Sequence, residues 1–313
     1  MKQVKALVQI TCLLALIQSC GDAVAPIPPL KGRTVIACLA GNNNLSDEAY
    51  ENINQMEAAI GDVDGHLIVY ARLKNIAPAL YKIIPDHSEQ IRSQKIKSYL
   101  AHDSSDPAVM HQVIAEIKAA YPAQSYGLIL WSHASGWIPT GYEGIKLKSF
   151  GDDNGSTMDI KQLRHALPDD LDFILFDACY MASVEVLYEI REKAKYFIAS
   201  LGEVLANGKP YSEMTNDLFL PTADASLRIA QKYHAHYNSK SGFYRSATVS
   251  VINARELLTM PDISRRLLHS HTSPYADLRR NTVQRMDFER YGNALIASDF
   301  KDFMQQNFGS SLT

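Results

Sequence analysis

Between Thr34 and Met260 the sequence alternates short, continuous apolar runs with longer segments of helical period. Thr34-Val-Ile-Ala-Cys-Leu-Ala40, His66-Leu-Ile-Val-Tyr-Ala71, Tyr126-Gly-Leu-Ile-Leu-Trp131 and Leu171-Asp-Phe-Ile-Leu-Phe176 are apolar almost throughout. Such runs suit strands buried on both faces rather than on one. Tyr196–Ser200 and Ala247–Ile252 read as the fifth and sixth strands, and Tyr81–Ile84 offers a further short one in a less regular stretch. Helical spacing occupies Leu45–Ile60, the segment opened by Asp106, Asp159–Ala166, Ala182–Ile190, Ala223–Tyr237 and about Ala254–Met260. Ser46 and Asp47 are candidate caps for the first helix. Asp106 is placed to cap the second, with Pro107 at its first helical position. This order predicts an α/β fold: a mostly parallel central sheet of about six strands, flanked by helices on both faces. In such sheets sites form beyond the carboxyl ends of the strands, so the residues following each strand are where chemistry is to be sought.

The first residues stand apart from this pattern. Met1–Cys20 carries Lys2 and Lys5, then a mostly apolar stretch from about Ala6 to Ile17 that is too short to span a bilayer, so it reads as a secretory signal. Its end, Leu16-Ile17-Gln18-Ser19-Cys20, resembles a bacterial lipobox. That resemblance implies cleavage before Cys20, lipidation of its thiol, and a peripheral membrane anchor on an exported, cell-envelope protein. A plain secretory signal cut a few residues later is the alternative. Gly21–Gly32 is small and proline-rich, as an extended tether would be. The folded domain is then expected over 33–313, with its core at about 33–260 and a helical C-terminal part over about 261–313, including a last short helix at Asp299–Phe308.

Composition removes several function classes. The chain has 313 residues, 31 of them Lys or Arg and 34 Asp or Glu, and a net charge of −3, which argues against nucleic acid as a partner. Losing Lys2 and Lys5 with the leader would leave 29 basic residues against 34 acidic, making the balance slightly more negative. Four cysteines are too few for a disulfide scaffold. There is no GxGxxG or GxxxxGK[ST] phosphate loop and no GxSxG serine elbow.

Two strand ends carry chemistry. The third strand is followed by Ser132-His133-Ala134-Ser135-Gly136-Trp137, the fourth by Asp177-Ala178-Cys179-Tyr180-Met181. A thiol and an imidazole at the ends of strands successive in the chain form the minimal cysteine-nucleophile arrangement. Cys179 would precede the first turn of the Ala182–Ile190 helix, whose N-terminus would favour the thiolate. Asp177 could cap that helix.

Tyr126–Trp137 (YGLILWSHASGW) and Phe176–Ile190 (FDACYMASVEVLYEI) resemble the clostripain family of cysteine peptidases, within the caspase, legumain and gingipain group. The resemblance extends to Thr34-Val-Ile-Ala with Asn44-Leu45, to Ser200–Tyr211 and to Ala247-Thr-Val-Ser-Val, and so covers about residues 33–255. It implies a caspase-like fold and a peptidase, acting on protein or peptide substrates, with His133 and Cys179 as a catalytic dyad. The backbone N–H groups of Ala134 and Cys179 would form the oxyanion hole, although the family commonly has Gly where Ala134 stands. Asp177 matches the acidic residue at the base of the S1 pocket and would take a substrate Arg or Lys at P1, with Glu203 or Asn207 nearby as further lining.

Thr140–Ser156 lies between the dyad residues and is polar and glycine-rich. Family members often cut themselves in this interval after a basic residue, which makes Lys146 and Lys148 candidate self-cleavage sites. An ordinary flexible loop is the alternative. Asp152-Asp153-Asn154-Gly155 invites a calcium reading, since some members depend on calcium. The spacing is not that of an EF-hand, and a turn is the better account of it. No metal or cofactor is otherwise called for, and the chain is expected to act as a monomer. The competing function is a catalytically weak or inactive lipoprotein of the same fold that binds peptides.

Overall fold

A computed structural model describes residues 30–137, 149–269, 278–279, 281–285 and 297–308. The leader, Cys20, most of the tether, and Lys146 and Lys148 lie outside the described residues.

The chain runs β1 (Lys31–Gly41), α1 (Ser46–Ala59), β2 (Gly65–Leu73), β3 (Ala79–Lys82), β4 (Gln94–Ser98), α2 (Pro107–Ala120), β5 (Ala123–Trp131), β6 (Phe150–Asp153), β7 (Ser156–Met158), α3 (Ile160–Ala166), β8 (Leu171–Asp177), α4 (Val184–Glu189), β9 (Ala194–Ala199), α5 (Tyr211–Met214), α6 (Thr222–Asn238), β10 (Ser250–Asn253), α7 (Ala254–Leu257), α8 (Met260–His269) and α9 (Phe300–Phe308). Because β1 starts at Lys31, Lys31 and Gly32 belong to the sheet rather than to the tether.

The sheet has eight strands, in the order β10-β9-β8-β5-β1-β2-β3-β4. β9, β8, β5, β1 and β2 are mutually parallel, as their two-sided apolar character requires. β3 and β4 add an antiparallel hairpin at one edge, and β10 pairs antiparallel with β9 at the other. Of the hairpin, β3 answers to the short strand expected at Tyr81–Ile84, and β4 is the strand that the expected count lacks. Gln94–Ser98 is an exposed edge strand in which only Ile96 is half-buried, so it lacks the apolar signal of the central strands.

Successive residues of each central strand face opposite layers. Ile36, Cys38, Leu128, Leu130, Ile174 and Phe176 pack under α2, α3, α4 and α7. Val35, Ala37, Leu39, Ile129, Trp131, Phe173 and Leu175 pack under α1, α5 and α6. Cys38 is fully within the first layer, and burial pushes its thiol up to about 12, so it behaves as a small hydrophobe. Asp106 caps α2 by accepting from the Ala108 and Val109 N–H groups, with Pro107 following. Asp159 and Gln162 form a reciprocal capping box on α3. α1 differs from expectation. Neither Ser46 nor Asp47 caps it. Asn43 Oδ1 instead accepts from Leu45 N, while Ser46 Oγ accepts from Lys74 N.

The chain passes from β1 to β2 on one side, then returns to lay β5 and β8 on the other. Strand order reverses there, and the carboxyl ends of β1, β5 and β8 open a crevice at that point.

Candidate active site

Register sets the geometry. Trp131 at the end of β5 pairs with Asp177 at the end of β8. His133 and Cys179 each lie two residues beyond that pair, so the two strands deliver imidazole and thiol to the same edge. Both half-buried side chains line one cavity of about 160 Å³, together with Asn44 and Leu45 after β1, Asp177, and Val204, Leu205, Ala206 and Gly208 from the segment after β9.

Asn44 supplies a polar contact that the sequence reading passed over. Its Oδ1 lies 2.9 Å from His133 Nε2. With the amide oxygen facing the ring, this contact is made by the tautomer that carries its hydrogen on Nε2, in which Nδ1 is the basic nitrogen. The signal was available, since Asn44 follows the first strand at the same carboxyl edge as the other two site segments. Ser132 braces this edge from within: its Oγ donates to Ala40 O at 2.7 Å and accepts from Asp152 N at 3.0 Å.

After His133 the chain turns along β6. Ser135 N donates to Ser149 O, and Gly151 N donates to His133 O. These two bonds flank the Ala134–Phe150 bridge, which makes Ala134 the non-hydrogen-bonded member of an antiparallel pair. Its N–H is therefore directed away from β6, and the Ala in place of Gly does not remove that donor. Gly136, at φ +71°, sits against the Tyr180 carbonyl, where a Cβ would come within 2.7 Å.

The helix-terminus expectation for Cys179 is corrected. α4 begins only at Val184, with Ser183 as its cap, accepting from Val186 N. Tyr180 adopts φ +62°, a left-handed conformation that a helix entry would not contain. Cys179 thus lies on a tight turn, and Asp177 caps nothing. The turn is held by its neighbours instead: Tyr180 N donates to Gly202 O and Ala182 N to Ser200 O, both at 3.0 Å. Cys179 Sγ itself accepts from Val204 N at 3.3 Å and faces Val204 O at 3.7 Å.

Asp177 is buried beneath the thiol. Its Oδ2 accepts from Lys209 N and Tyr211 OH, each at 2.9 Å, while its Oδ1 has no hydrogen-bond partner among the described residues. Burial pushes its carboxyl up, against the opposing influence of Lys209 and those hydrogen bonds. Trp131 Nε1 donates to Asn52 Oδ1 on α1, and Asn52 Nδ2 donates to the Asn207 carbonyl, which fixes the cavity floor. Neither Glu203 nor Asn207 lines the cavity; their neighbours Val204 to Ala206 and Gly208 do.

Asp152 and Asp153 are both engaged by protein groups. Asp153 accepts from Asn42 and from the N–H and hydroxyl of Ser104, and pairs with Arg72 at 3.5 Å. Asp152 Oδ1 accepts from Gly155 N, closing a turn. Among the described residues no three His, Cys, Asp or Glu side chains converge as a metal site.

The model of the clostripain family matches residues 37–307. None of the curated proteins matches the chain. Among solved structures it is similar to an inactive zymogen C11 protease from Parabacteroides distasonis: 32% identity, covering 91% of this chain and 80% of that one, with a TM-score of 0.76. It is similar too to a secreted C11 cysteine protease from Bacteroides thetaiotaomicron bound to an irreversible peptide inhibitor, at 33% identity over 90% of this chain and 79% of that one, with a TM-score of 0.71. A further secreted C11 protease from Bacteroides thetaiotaomicron, iotapain, is 23% identical over 89% of this chain and 81% of that one, with a TM-score of 0.73, and shares the fold.

Proposed function

The chain belongs to the clostripain family of cysteine peptidases, and from that premise we propose that it is an endopeptidase cutting after Arg or Lys through a Cys179–His133 dyad. The observation that carries the reading is the convergence of His133, Cys179 and Asp177 on one cavity at the carboxyl ends of β5 and β8, with Asp177 Oδ1 buried and without a hydrogen-bond partner among the described residues.

Cys179 Sγ attacks the scissile carbonyl carbon while its proton passes to His133. The tetrahedral intermediate expels the amine, which takes that proton, and a thioester remains. Water, deprotonated by His133, then attacks the thioester and releases the new carboxylate, returning the proton to the thiol. The N–H groups of Ala134 and Cys179 serve the oxyanion. Asn44 holds the His133 ring in the tautomer this requires. An Arg or Lys side chain at P1 would give Asp177 Oδ1 the partner it lacks. A neutral side chain would leave a buried carboxylate unpaired, which is unfavourable.

Two further parts of the reading lie in residues outside those described. Self-cleavage after Lys146 or Lys148 is supported by the interval they occupy and by the zymogen state of the Parabacteroides relative. Export with a lipid anchor at Cys20 is supported by the leader and by the secreted Bacteroides relative. No described helix is long and apolar enough to cross a membrane.

The test uses protein begun after Cys20, wild type beside Cys179→Ala, with fluorogenic peptides carrying Arg, Lys, Asp or Leu at P1 and a gel of each incubation. Cleavage after Arg and Lys by the wild type alone is expected, with a self-cut near Lys146 or Lys148. Activity in Cys179→Ala would overturn the dyad, and equal turnover of all four peptides would overturn the pocket.

A further inference from the structure

Behind Asp177 lies a lysine that the reaction does not use. Lys209 is wholly buried. Its backbone N–H donates to Asp177 Oδ2, but among the described residues its Nζ has no hydrogen-bond partner, and it sits 3.4 Å from the centroid of the Tyr233 ring. A buried ammonium resting on a π face alone is unfavourable by several kcal/mol unless something compensates it. Burial draws Lys209 down to about 8, and the charge on Asp177 is the leading influence holding it up. Packing gives no reason for the charge, since an apolar side chain of the same length would fill the space.

The groups around Asp177 identify the reason. From α5 it faces Tyr211, and from α6 Tyr233 and Tyr237; burial pushes all three phenols up, so they stay neutral. From α1 comes the neutral amide of Asn52, which with Asp177 Oδ2 closes on Gly208 so tightly that a Cβ there would lie 2.8 Å from each. Cys179, two residues along, can add only negative charge. Among the described residues, Lys209 is the cation that acts on Asp177.

We infer that Lys209 is a positioning residue of the specificity pocket: its buried ammonium, resting on Tyr233, is the counter-charge that keeps Asp177 anionic while the pocket is empty. This rests on the reading of Asp177 as the P1 contact. An arriving Arg or Lys side chain then meets a carboxylate rather than a carboxylic acid, and no proton need leave Asp177 before it binds. Where both groups are ionised the same ammonium also repels the substrate cation, and above about pH 8 it loses its proton, so removing it should weaken binding in acid and not in alkali.

The experiment reads both the ionisation and its consequence. The infrared difference between wild type and Asp177→Asn, without substrate at about pH 7, is expected to carry a carboxylate signal. In a Lys209→Met background the same difference is expected to carry the band of a protonated acid. A protonated-acid band in the wild type overturns the inference without any need for the Lys209 variant to fold. Calorimetry with an Arg-P1 peptide on Cys179→Ala, with and without Lys209→Met, supplies the second readout. Toward acid, affinity in the Lys209→Met protein should fall more steeply than in its parent, approaching tenfold per pH unit, with the two curves meeting or crossing by about pH 9. Parallel curves overturn the inference. If the Arg peptide binds equally well when Asp177→Asn is added, the pocket reading fails instead, and the infrared result still reports on Lys209.

Discussion

Asp172 and Asp177 lie five residues apart on the same buried strand and are treated in opposite ways. At the amino end of β8, Asp172 Oδ2 accepts from Arg33 Nη2 at 2.8 Å and from Thr222 Oγ1 at 2.7 Å, and its Oδ1 accepts from Lys195 Nζ at 2.6 Å. Arg33 spends its remaining donors on Ser125 Oγ, on Thr222 Oγ1 and on the carbonyls of Leu218 and Leu220. Burial pushes Asp172 up, but the hydrogen bonds from Lys195, Thr222 and Arg33 outweigh it and hold the carboxyl below the ordinary range. At the carboxyl end, Asp177 Oδ1, Lys209 Nζ and the Tyr233 hydroxyl are all buried without hydrogen-bond partners among the described residues, and the Asp177 carboxyl is pushed up. One end uses buried charge to lock β1, β5, β8 and α6 together. The other end leaves hydrogen-bonding capacity unused among the described residues, which on the proposed function is what a substrate side chain would take up.

The largest test of this contrast is Arg33→Met. It strands Asp172 and removes the donors to two carbonyls, so unfolding in urea at neutral pH should show a loss of about 3–5 kcal/mol. The sign with pH follows from the depressed carboxyl. Its stabilisation is present above the unfolded value and disappears as pH falls through the lower folded value, so the gap between variant and wild type should narrow below about pH 4. A loss under about 1 kcal/mol at neutral pH would break the comparison. Next in size is the pair Asp177→Asn with Lys209→Met, expected to be unchanged or more stable by about 1–4 kcal/mol while kcat/KM on Arg substrates falls on the order of a hundredfold or more. Here the carboxyl is raised, so the folded state prefers the proton, and ionisation as pH rises costs stability that the neutral pair does not lose. Loss of stability in this double variant would mean that both ends of the strand serve the fold.

How much of this the sequence could show follows the same division. Central strands are legible because burial on both faces leaves an unbroken apolar run, and the strand-end rule then locates His133, Cys179 and Asp177. β4 is not, because an exposed edge strand such as Gln94-Lys-Ile-Lys-Ser98 need not be apolar. Cys179 was assigned to a helix entry because Ala182–Ile190 keeps helical spacing. The φ of Tyr180 and the cap at Ser183 decide otherwise, and both are tertiary facts. Lys209 could not be read as buried at all. A lysine between Gly208 and Pro210 looks like a surface turn until Tyr233 and Asp177 arrive from α6 and β8. Asn44 was legible and missed.

Asn44→Ala sharpens the contrast at smaller scale. It removes one hydrogen bond that orients His133 and touches no core contact, so kcat should fall about tenfold, with stability changed by less than about 1 kcal/mol. Steady-state kinetics beside urea unfolding would separate the two. A stability loss matching the loss in activity would show that the polar groups of the carboxyl end are structural after all.

The smallest expected effect is the most discriminating within the amino end. Lys195 makes the shortest of the contacts to Asp172, yet its side chain is 71% exposed, whereas that of Arg33 is 6% exposed. An exposed ammonium gives up little by returning to water, and water can take its place on the Asp172 Oδ1 that it leaves. A buried guanidinium has no such substitute, because the carbonyls of Leu218 and Leu220 would be left facing apolar packing. Lys195→Gln should therefore alter unfolding free energy by less than about 1 kcal/mol, and by less still at high salt, where exposed pairs are screened. If it instead matched Arg33→Met, proximity rather than burial would be what ranks these partners. The orphaned groups around Asp177 would then be expected to matter little as well, since the same reasoning from burial assigns them their weight.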